Sequence, residues 1–403
     1  AQSLAESNKM GSQEISCGLI PDKKSLELNV PGEDLRLYPY VWLRDNCLCE
    51  ECYNAVTQSR KTRLKDLAFD VEIKEATFKQ TEKNEHLVQI TWDDGHISTF
   101  HTAWLIDRTF PNKGHQPIRS ARYRAKPQLW DSEMAGKLPR FDFNQLTTED
   151  AYLYDWIVTL DRVGVTIITA APTEEGQIER LASKISFLRS HNYGKEFKVR
   201  SKVSPSNAAY TTCDLDLHTD LPHYHQPPGT QLLHCIIQAG AGGGDSTVCD
   251  GFHAAKLLRE RHPDYFQLLC RTKLDFNDLG DDAYGPFHQL YHGPVFKLDC
   301  YGELEELNYS VHCRDSYMGD LALEDVALCY RALRTYDDLL REHQVTYLLQ
   351  PGEILVVDNR RVLHGRKGYT VTPGGERLLE GGYIDWDHLY SRMRVLAKQL
   401  NKT

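Results

Sequence analysis

Hydrophobic and polar residues alternate over short runs in the amino-terminal part of the chain, up to about residue 110. The runs are rich in Val, Ile, Tyr and Trp, and polar turns separate them, which is typical of short β-strands. LRLYPYVWLRD, LVQITW and HISTFHTAWL are therefore predicted to be extended. Asp-Asp-Gly between the last two predicts a tight hairpin turn. This part of the chain is predicted to be a small β domain.

Helical periodicity appears after a stretch rich in Pro, Lys and Arg, at about residues 111–140, which is predicted to be a linker anchored by Trp130. TTEDAYLYDWIVTLDRVG has a Thr N-cap, an acidic first turn and apolar residues near helical spacing, and predicts one helix. EEGQIERLASKISFL predicts a second helix. The apolar run VTIIT between them predicts a buried strand.

Strand-like runs dominate from residue 208 onward. Two helices are predicted to interrupt them, in FHAAKLLRERHPDYFQLLC and in LEDVALCYRALRTYDDLLREH. No repeat with a period of 20–50 residues is visible. Many consecutive strands with a few helices predict a mainly β fold, a barrel or sandwich braced by helices. The predicted strands are TQLLHCIIQ, STVCDGF, TKLDFN, VFKLDC, GELEELNYSV, EILVVDN and RLLEGGYIDW.

Composition and charge narrow the class of partner. The 403 residues are 41% hydrophobic and 26% charged, which is ordinary for a globular protein with a sizeable core. Because 47 basic residues face 57 acidic ones, the net charge is −10, which argues against nucleic acid or an anionic membrane as partner. No apolar run approaches the roughly 20 residues of a membrane span. The expected partner is a small molecule.

The cysteines point to a reducing compartment. There are 11 of them, an odd number, and a secreted chain with paired disulfides more often has an even one. A cytoplasmic location is predicted, with the mitochondrion as the alternative. Residues 1–15 begin without Met and lack an apolar signal stretch, so an expression tag or a processed, disordered end is expected there.

Cys47, Cys49 and Cys52 form a C-x-C-x2-C pattern that favours a metal site. Closely spaced thiolates in a reducing compartment are more often metal ligands than disulfide partners. Structural Zn²⁺ takes four ligands, and His96 in the predicted hairpin is the best candidate for the fourth. The alternative is three free cysteines in a loop. A zinc ion here would stabilise a small domain and leave no open position for a substrate.

A second candidate site begins with His218-Thr219-Asp220. On a strand, residues i and i+2 point to the same face, so His218 and Asp220 would form two corners of a 2-His-1-carboxylate triad. His364, directly after a predicted strand, is the candidate for the third corner. Such a triad suits Fe(II) with open positions for a chelating cosubstrate and O2. H-x-D by itself is a weak signal.

Arg377 strengthens the iron interpretation, because it follows His364 by 13 residues. A guanidinium there could hold the distal carboxylate of a dicarboxylic cosubstrate. H-x-D, a late His and then an Arg is the pattern of 2-oxoglutarate oxygenases. The alternative for Arg377 alone is a surface ion pair. His223 and His225 follow a Leu-Pro turn and are expected to have outer or surface roles.

Several longer motifs resemble those of the γ-butyrobetaine dioxygenase and trimethyllysine dioxygenase family, from about residue 35 to the carboxyl end. The resemblance implies a double-stranded β-helix (jelly-roll) oxygenase core with a small N-terminal zinc-binding β domain. It implies a zinc domain at 16–125 and a catalytic domain at 126–403. The motifs are VWLRDNCLCEECY, AYTT…LHTD, HQPPGTQLLHC, GGDS…DGF, DNRRVLHGR and RLLEGGYIDWD…SRMRVL.

The resemblance also implies cofactors and a reaction. It places Fe(II) on the triad above, Zn(II) on the Cys3His set, and 2-oxoglutarate on Arg377 with help from Ser246. The family hydroxylates a trimethylammonium acid with O2 and releases succinate and CO2, and ascorbate is a candidate reductant. The motifs HQPPGTQLLHC and LEGGYIDWD are closer to the γ-butyrobetaine branch, which makes L-carnitine. A homodimer is also implied.

Aromatic side chains are the expected readers of such a substrate, because a trimethylammonium group donates no hydrogen bond and is held by cation–π attraction. The candidates at family positions are Tyr193, Phe197, Tyr210 and Tyr383, and the alternative for each is core packing. Asn207 is the candidate for binding the substrate carboxylate.

Three positions depart from the family pattern. Phe197 stands where a Trp is expected, Leu221 where an aromatic is expected, and Val311 where an Asn is expected. Trp has the strongest cation–π face, so a weaker cage is predicted. These departures leave trimethyllysine or another small cationic amino acid as an alternative substrate.

Two non-hydroxylase alternatives are weighed against this interpretation. A zinc-dependent binding module with an inactive barrel would not need the triad and Arg377, which are all present. Demethylation of nucleic acid would use the same machinery, but the net charge of −10 disfavours it.

Overall fold

The computed structural model describes residues 15–31, 34–82, 85–110, 123–200, 211–239, 242–370 and 376–402. The chain folds as two compact units, Ala1–Arg119 and Ser120–Thr403. Strands make up most of the regular structure of the first unit and the centre of the second, which confirms the predicted mainly β fold with helices.

The first unit contains two three-stranded antiparallel sheets, β1-β2-β3 and β6-β7-β8, and a two-stranded ribbon, β4-β5. Alternate residues of β7 and β8 are buried, so each strand turns one face to the core, where Trp92 and Phe100 lie. The elements are β1 (Ser16–Ile20), β2 (Ser25–Asn29), β3 (Arg36–Pro39), α1 (Tyr40–Asp45), β4 (Tyr53–Asn54), β5 (Ser59–Arg60), β6 (Ile73–Gln80), β7 (His86–Trp92), β8 (Ile97–His101) and α2 (Thr102–Ile106).

Two predicted strands of this unit are only half extended. LRLYPYVWLRD forms β3 and then turns into α1 at Pro39, whose extended backbone precedes the first helical residue. HISTFHTAWL forms β8 and then α2. Aromatic residues such as Tyr40 favour strands in general. Here Tyr40 lies in α1, and it is buried together with Leu43 on one side of that helix. The predicted hairpin is present, with Gly95 at a positive φ of 84° in its turn.

The second unit is larger and contains, within the ranges that the structure describes, seven α-helices, one short 3-10 turn and fourteen strands in four sheets. Its strands are β9 (Arg140–Asp142), β10 (Val165–Thr169), β11 (Glu196–Val199), β12 (Leu215–His218), β13 (Thr230–Ile237), β14 (Ser246–Asp250), β15 (Leu274–Asp282), β16 (Gly285–Gly293), β17 (Phe296–Leu298), β18 (Leu304–Leu307), β19 (Val345–Tyr347), β20 (Ile354–Asp358), β21 (Val362–Arg366) and β22 (Leu378–Ile384). Its α-helices are α3 (Phe143–Thr148), α4 (Asp150–Val163), α5 (Gln177–Ala182), α6 (Gly251–Arg261), α7 (Pro263–Arg271), α8 (Leu323–His343) and α9 (Trp386–Gln399).

The two larger sheets of this unit pack face to face and form its core. The larger has the order β11-β22-β13-β20-β10-β9 and is antiparallel except for its β9–β10 pair. The smaller, β12-β21-β14-β19, is antiparallel throughout. Residues between the sheets form one apolar cluster, and helices α3, α4, α5 and α9 cover the outer face of the larger sheet with another. This is the double-stranded arrangement braced by helices that the sequence predicts.

The predicted helices of this unit need three corrections. Pro263 divides FHAAKLLRERHPDYFQLLC into α6 and α7, because proline disfavours helical backbone in the residue before it. Thr147 and Thr148 do not cap α4: their hydroxyls donate to carbonyls inside α3, which Asp142 caps. EEGQIERLASKISFL is helical only over α5, because Gly176 at a φ of 87° precedes it.

Two further features concern strands and membranes. TKLDFN belongs to a much longer hairpin, β15–β16, whose outer half is exposed and polar and therefore carries little hydrophobic signal. Within the described ranges, none of the helices combines the length and apolar character that crossing a bilayer requires.

Candidate active site

Strand register brings the H-x-D motif and the late histidine together. In the smaller sheet, His218 at the end of β12 lies directly opposite His364 of β21. Their ring centroids are 4.4 Å apart. Nε2 of His218 lies 3.2 Å from Oδ1 of Asp220, and Nε2 of His364 lies 3.5 Å from the same oxygen. Two imidazole nitrogens and one carboxylate oxygen thus converge on one point.

Hydrogen bonds orient the two residues of the H-x-D motif. Nδ1 of His218 lies 2.8 Å from the carbonyl of Asp216, so that nitrogen is the donor and Nε2 is directed at Asp220. The backbone of Asp220 donates to Oδ1 of Asn359 at 2.7 Å and accepts from its amide at 3.0 Å. The next residue, Leu221, has a φ of 51°, which is rare for a branched side chain. The motif is therefore held in a fixed and strained turn.

Burial and mutual charge set the protonation of the group. Burial alone would raise the pKa of Asp220, but the imidazoles of His364 and His218 and the hydroxyl of Tyr383 hold it well below its usual range. Burial lowers the pKa of His364 to about 4. A carboxylate beside a neutral imidazole is the state that binds a metal. Nitrogen and oxygen donors at three corners, with open positions beyond, suit Fe(II).

Sequence reasoning missed a residue that touches two of the three. Gln231 of β13 donates its side-chain amide to Oδ2 of Asp220, and the same nitrogen lies 3.0 Å from Nε2 of His364. The hydroxyl of Tyr383 donates to Oδ2 of Asp220 at 2.6 Å. Gln231 lies opposite Tyr383 in the register of β13 and β22, so both reach the carboxylate from one sheet. Only that pairing, which the sequence does not display, could have revealed Gln231.

Arg377, just before β22, is buried at the cavity, with 3% of its surface exposed. Its guanidinium contacts Gln238 and the carbonyl of Gly244, both at 3.3 Å, and lies 4.9 Å from the ring centre of Tyr369. Its Nη1 has no hydrogen-bond partner among the described residues. A buried guanidinium with an unused donor is well suited to the distal carboxylate of 2-oxoglutarate.

Two other residues adjoin Arg377 in the same cavity. Burial first, and then the guanidinium of Arg366, lower the pKa of Arg377. Arg366 was not identified from the sequence, although it lies two residues after His364. Two neighbouring cations favour a ligand with negative charge. Ser246, the predicted helper, is buried and also lines the cavity.

Aromatic side chains line the rest of this cavity, whose volume is about 120 Å³. The rings of Phe197 and Tyr383 are 5.3 Å apart, and Tyr193 packs in the same cluster with Leu221. His191, which the sequence reasoning did not select, lies 4.9 Å from Tyr383, and burial lowers its pKa to about 4. The predicted Tyr210 and Asn207 lie outside the described residues.

The structure also places the remaining predicted positions. His223 is buried and lines the cavity, whereas His225 is exposed. Val311 is 44% exposed and points away from the cavity, which is lined instead by its neighbours Ser310 and His312. Val311 therefore does not take the substrate-facing place expected of it, because it lies in the turn at 311–313, which directs its side chain outward.

The Cys3His set forms a second candidate metal centre in the first unit. Nε2 of His96 lies 3.3 Å from Sγ of Cys47 and 3.6 Å from Sγ of Cys49 and of Cys52. Turn hydrogen bonds from the amides after Cys49 hold the first segment, and the β7–β8 turn presents His96. Three thiols around one imidazole match a closed structural zinc site.

Replacing Cys52 with serine is expected to lower the zinc content of the purified protein by one ion per chain and to reduce its melting temperature. A structural zinc ion contributes its binding free energy to folding, and serine is a poor zinc ligand. Metal analysis and thermal unfolding measure the two effects. Cys17→Ser, in the same unit but outside the cluster, is the matched control. Unchanged zinc in the Cys52 variant would contradict the assignment.

Known families match both units. The model described as taurine catabolism dioxygenase TauD, TfdA family, matches residues 123–383. The model described as γ-butyrobetaine hydroxylase-like, N-terminal, matches residues 19–106. A solved asparagine oxygenase, in complex with Fe(II), 2S,3S-3-hydroxyasparagine and succinate, covers 65% of this chain and 93% of its own at 16% identity, with a TM-score of 0.46.

Curated relatives extend over nearly the whole chain. A γ-butyrobetaine dioxygenase of Homo sapiens is 37% identical over 91% of this chain and 93% of its own. That of Pseudomonas sp. (strain AK-1) is 33% identical over 92% and 94%. A mitochondrial trimethyllysine dioxygenase of Mus musculus is 30% identical over 96% and 89%. These sequence relatives, rather than the structural likeness, carry the assignment of the chain.

Proposed function

The chain belongs to the TauD, TfdA family of dioxygenases and groups there with the γ-butyrobetaine dioxygenases, and on that premise we propose that it hydroxylates γ-butyrobetaine to L-carnitine. The reaction would use Fe(II) as cofactor and consume 2-oxoglutarate and O2, with succinate and CO2 as coproducts. The observation that carries this proposal is the convergence of His218, Asp220 and His364 in a cavity with a buried arginine and aromatic walls.

In the proposed site, His218, Asp220 and His364 hold the iron. When bound, Fe(II) and 2-oxoglutarate supply the oxidising chemistry that places one oxygen atom of O2 on an unactivated carbon. Gln231 and Tyr383 hold Oδ2 of Asp220, which leaves Oδ1 directed at the two histidines. Tyr383 therefore has a second role, because it positions an iron ligand as well as lining the cavity.

Arg377 is proposed to bind the distal carboxylate of 2-oxoglutarate, with Ser246 beside it. A desolvated guanidinium and a carboxylate form a strong bidentate pair, and the unused Nη1 supplies a donor for it. The salt bridge would also return the pKa of Arg377 towards its ordinary value. These residues fix the cosubstrate so that the substrate enters on the aromatic side.

The aromatic residues are proposed to hold the trimethylammonium group. Tyr193, Phe197 and Tyr383 pack around Leu221, and Tyr210 is proposed to complete the cage. A desolvated cation over such faces gains up to about 2 kcal/mol per favourable contact. Asn207 is proposed to bind the substrate carboxylate. Exclusion of water by these rings strengthens each contact.

Trimethyllysine is the second candidate substrate, because trimethyllysine dioxygenases are also relatives and because Phe197 and Leu221 depart from the expected cage.

We further propose that the chain forms a homodimer. The proposed location is a reducing compartment, either the cytoplasm or the mitochondrion, and the name of the mouse relative includes the word mitochondrial. Light scattering at twice the mass of one chain would support the dimer.

Turnover with each substrate tests the proposed function. The full chain, supplied with Fe(II), 2-oxoglutarate and ascorbate, is expected to form succinate and L-carnitine from γ-butyrobetaine with the higher kcat/KM. Trimethyllysine is expected to be turned over more slowly. Succinate formation that is independent of γ-butyrobetaine but driven by trimethyllysine would move the enzyme to the second substrate.

Replacing Gly381 with alanine is expected to lower kcat/KM for the trimethylammonium substrate by about tenfold. A Cβ at Gly381 would lie 2.3 Å from the ring of Phe197, so that ring must move, which removes roughly one cation–π contact of about 1.4 kcal/mol. The effect should appear in KM for the substrate and leave KM for 2-oxoglutarate unchanged. Gly285→Ala, where a Cβ meets nothing within 4 Å but φ is 91°, shows the effect of backbone strain alone, which Gly381→Ala does not introduce because its φ is ordinary. Equal losses in both variants would contradict the steric explanation.

A further inference from the structure

Outside the two metal centres already described, a third group of metal-type ligands lies in the second unit. One ligand atom each of Asp131, His253 and His343 lies within 4.8 Å of the others. We propose that these three residues bind a divalent transition metal ion such as Zn²⁺, which would join three separate segments of the second unit. The inference does not depend on the proposed function.

The sheet brings two of the segments together. Strands β14 and β19 are antiparallel, with Val248 opposite Val345. Asp250 lies two residues after Val248, and His343 lies two residues before Val345, so the start of α6 and the end of α8 meet at one place. His253 is in the first turn of α6 and His343 is the last residue of α8. Their ring centroids are 5.1 Å apart, nearly perpendicular at 79°.

One buried carboxylate, Asp250, links the segment of Asp131 to that of His253. Asp250 is fully buried and pairs with Arg361 at 2.7 Å. It also accepts from the backbone amide of Trp130 at 3.1 Å and from that of His253 at 3.4 Å. The residue after Trp130 is Asp131. Asp250 therefore holds the backbone of His253 and that of Trp130, the neighbour of Asp131, at the same point.

The side chains leave coordinating atoms unused. Both ring nitrogens of His343 are buried and have no hydrogen-bond partner among the described residues. The nearest carboxylate oxygen, from Glu342, is 3.8 Å from Nε2, which is too far for a hydrogen bond. Leaving such a buried nitrogen unpaired is destabilising, and a metal ion would remove that cost. Oδ1 of Asp131 accepts from the amide of Glu133, so Oδ2 remains for an ion.

The donor set decides the class of ion. Two imidazoles and one carboxylate favour zinc, copper, nickel or iron over magnesium and calcium, which prefer oxygen. Ligand atoms on one tetrahedral zinc ion lie about 3.3 Å apart, so the group must contract by roughly 1.5 Å at most. Rotation of the half-buried His253 ring can supply that movement.

Zinc stoichiometry tests the proposal. The full chain is stripped of metal, equilibrated with Zn²⁺, dialysed and analysed for zinc per chain, in the wild type and in His253→Ala and His343→Ala. Each variant is expected to retain one zinc ion fewer than the wild type, while the Cys3His centre stays loaded. The matched control His262→Ala, an exposed histidine between α6 and α7, should equal the wild type.

A milder variant keeps the test decisive if a histidine variant fails to fold. Asp131→Asn preserves the hydrogen bond to the Glu133 amide, since Asn is a good N-cap, but removes the charged ligand. It is expected to weaken zinc binding at this site by tenfold or more, measured by competition with a chromophoric chelator. Zinc content and affinity equal to the wild type in Asp131→Asn and in the folded histidine variants would overturn the proposal.

Discussion

Replacing His364 with alanine is expected to lower turnover by on the order of 10³-fold or more, because residues that act as one unit lose most of the rate when one is removed. Nε2 of His364 lies 3.5 Å from Oδ1 of Asp220, the same oxygen that Nε2 of His218 approaches. Without it, only two corners of the proposed iron site remain. Iron retained after anaerobic loading should fall in parallel, while zinc content stays the same because the Cys3His centre lies in the other unit.

The matched control for this prediction is His225→Ala, an exposed histidine seven residues from His218. It should keep both iron and activity. If the His364 variant bound iron as the wild type does and still formed succinate, the proposed ligand set would be wrong. If it bound iron but made no product, His364 would have a different role from the one proposed.

Replacing Arg377 with methionine is expected to raise KM for 2-oxoglutarate by about 100-fold. Truncating one partner of a buried charge pair typically costs 2–5 kcal/mol, and 100-fold corresponds to about 2.7 kcal/mol. Methionine keeps much of the volume next to Tyr369, so the cavity should not collapse. Steady-state kinetics with 2-oxoglutarate varied at saturating substrate measure the effect.

Two further variants separate charge from geometry at this position. Arg377→Lys should recover only part of the loss, because an ammonium cannot make the bidentate pair. Arg334→Met, a surface arginine with 77% of its side chain exposed, should leave KM for 2-oxoglutarate unchanged. An unchanged KM in Arg377→Met would remove Arg377 from the cosubstrate site.

The parts of the site that the sequence could predict are those marked by residue type and spacing. H-x-D, a late histidine and an arginine after it are unusual chemistry at fixed intervals, and the structure brings all four into one cavity. Gln231 and His191 could not be found this way. Glutamine and histidine are common in strands and turns, and their approach to Asp220 and Tyr383 depends on which strands pair and in which register.

The fold shows the same division. Buried strands such as β10 and β20 are mostly apolar, so their hydrophobic runs could be recognised in the sequence. The outer half of the β15–β16 hairpin is held by the backbone hydrogen bonds between its two strands and exposes most of its side chains. It therefore has no hydrophobic run that the sequence could reveal. Val311 illustrates the limit at a single residue. Its neighbours Ser310 and His312 line the cavity and Val311 does not, because the turn at 311–313 sets the direction of each side chain, and the sequence does not display that turn.

We expect this dioxygenase to couple the oxidation of 2-oxoglutarate to hydroxylation of a trimethylammonium acid. The most direct measurement is turnover of γ-butyrobetaine under ¹⁸O2, with both products analysed by mass spectrometry. The expected result is one labelled oxygen in succinate and one in the new hydroxyl group of L-carnitine, formed in equal amounts. Labelled succinate without labelled L-carnitine, or hydroxyl oxygen that derives from water, would contradict it.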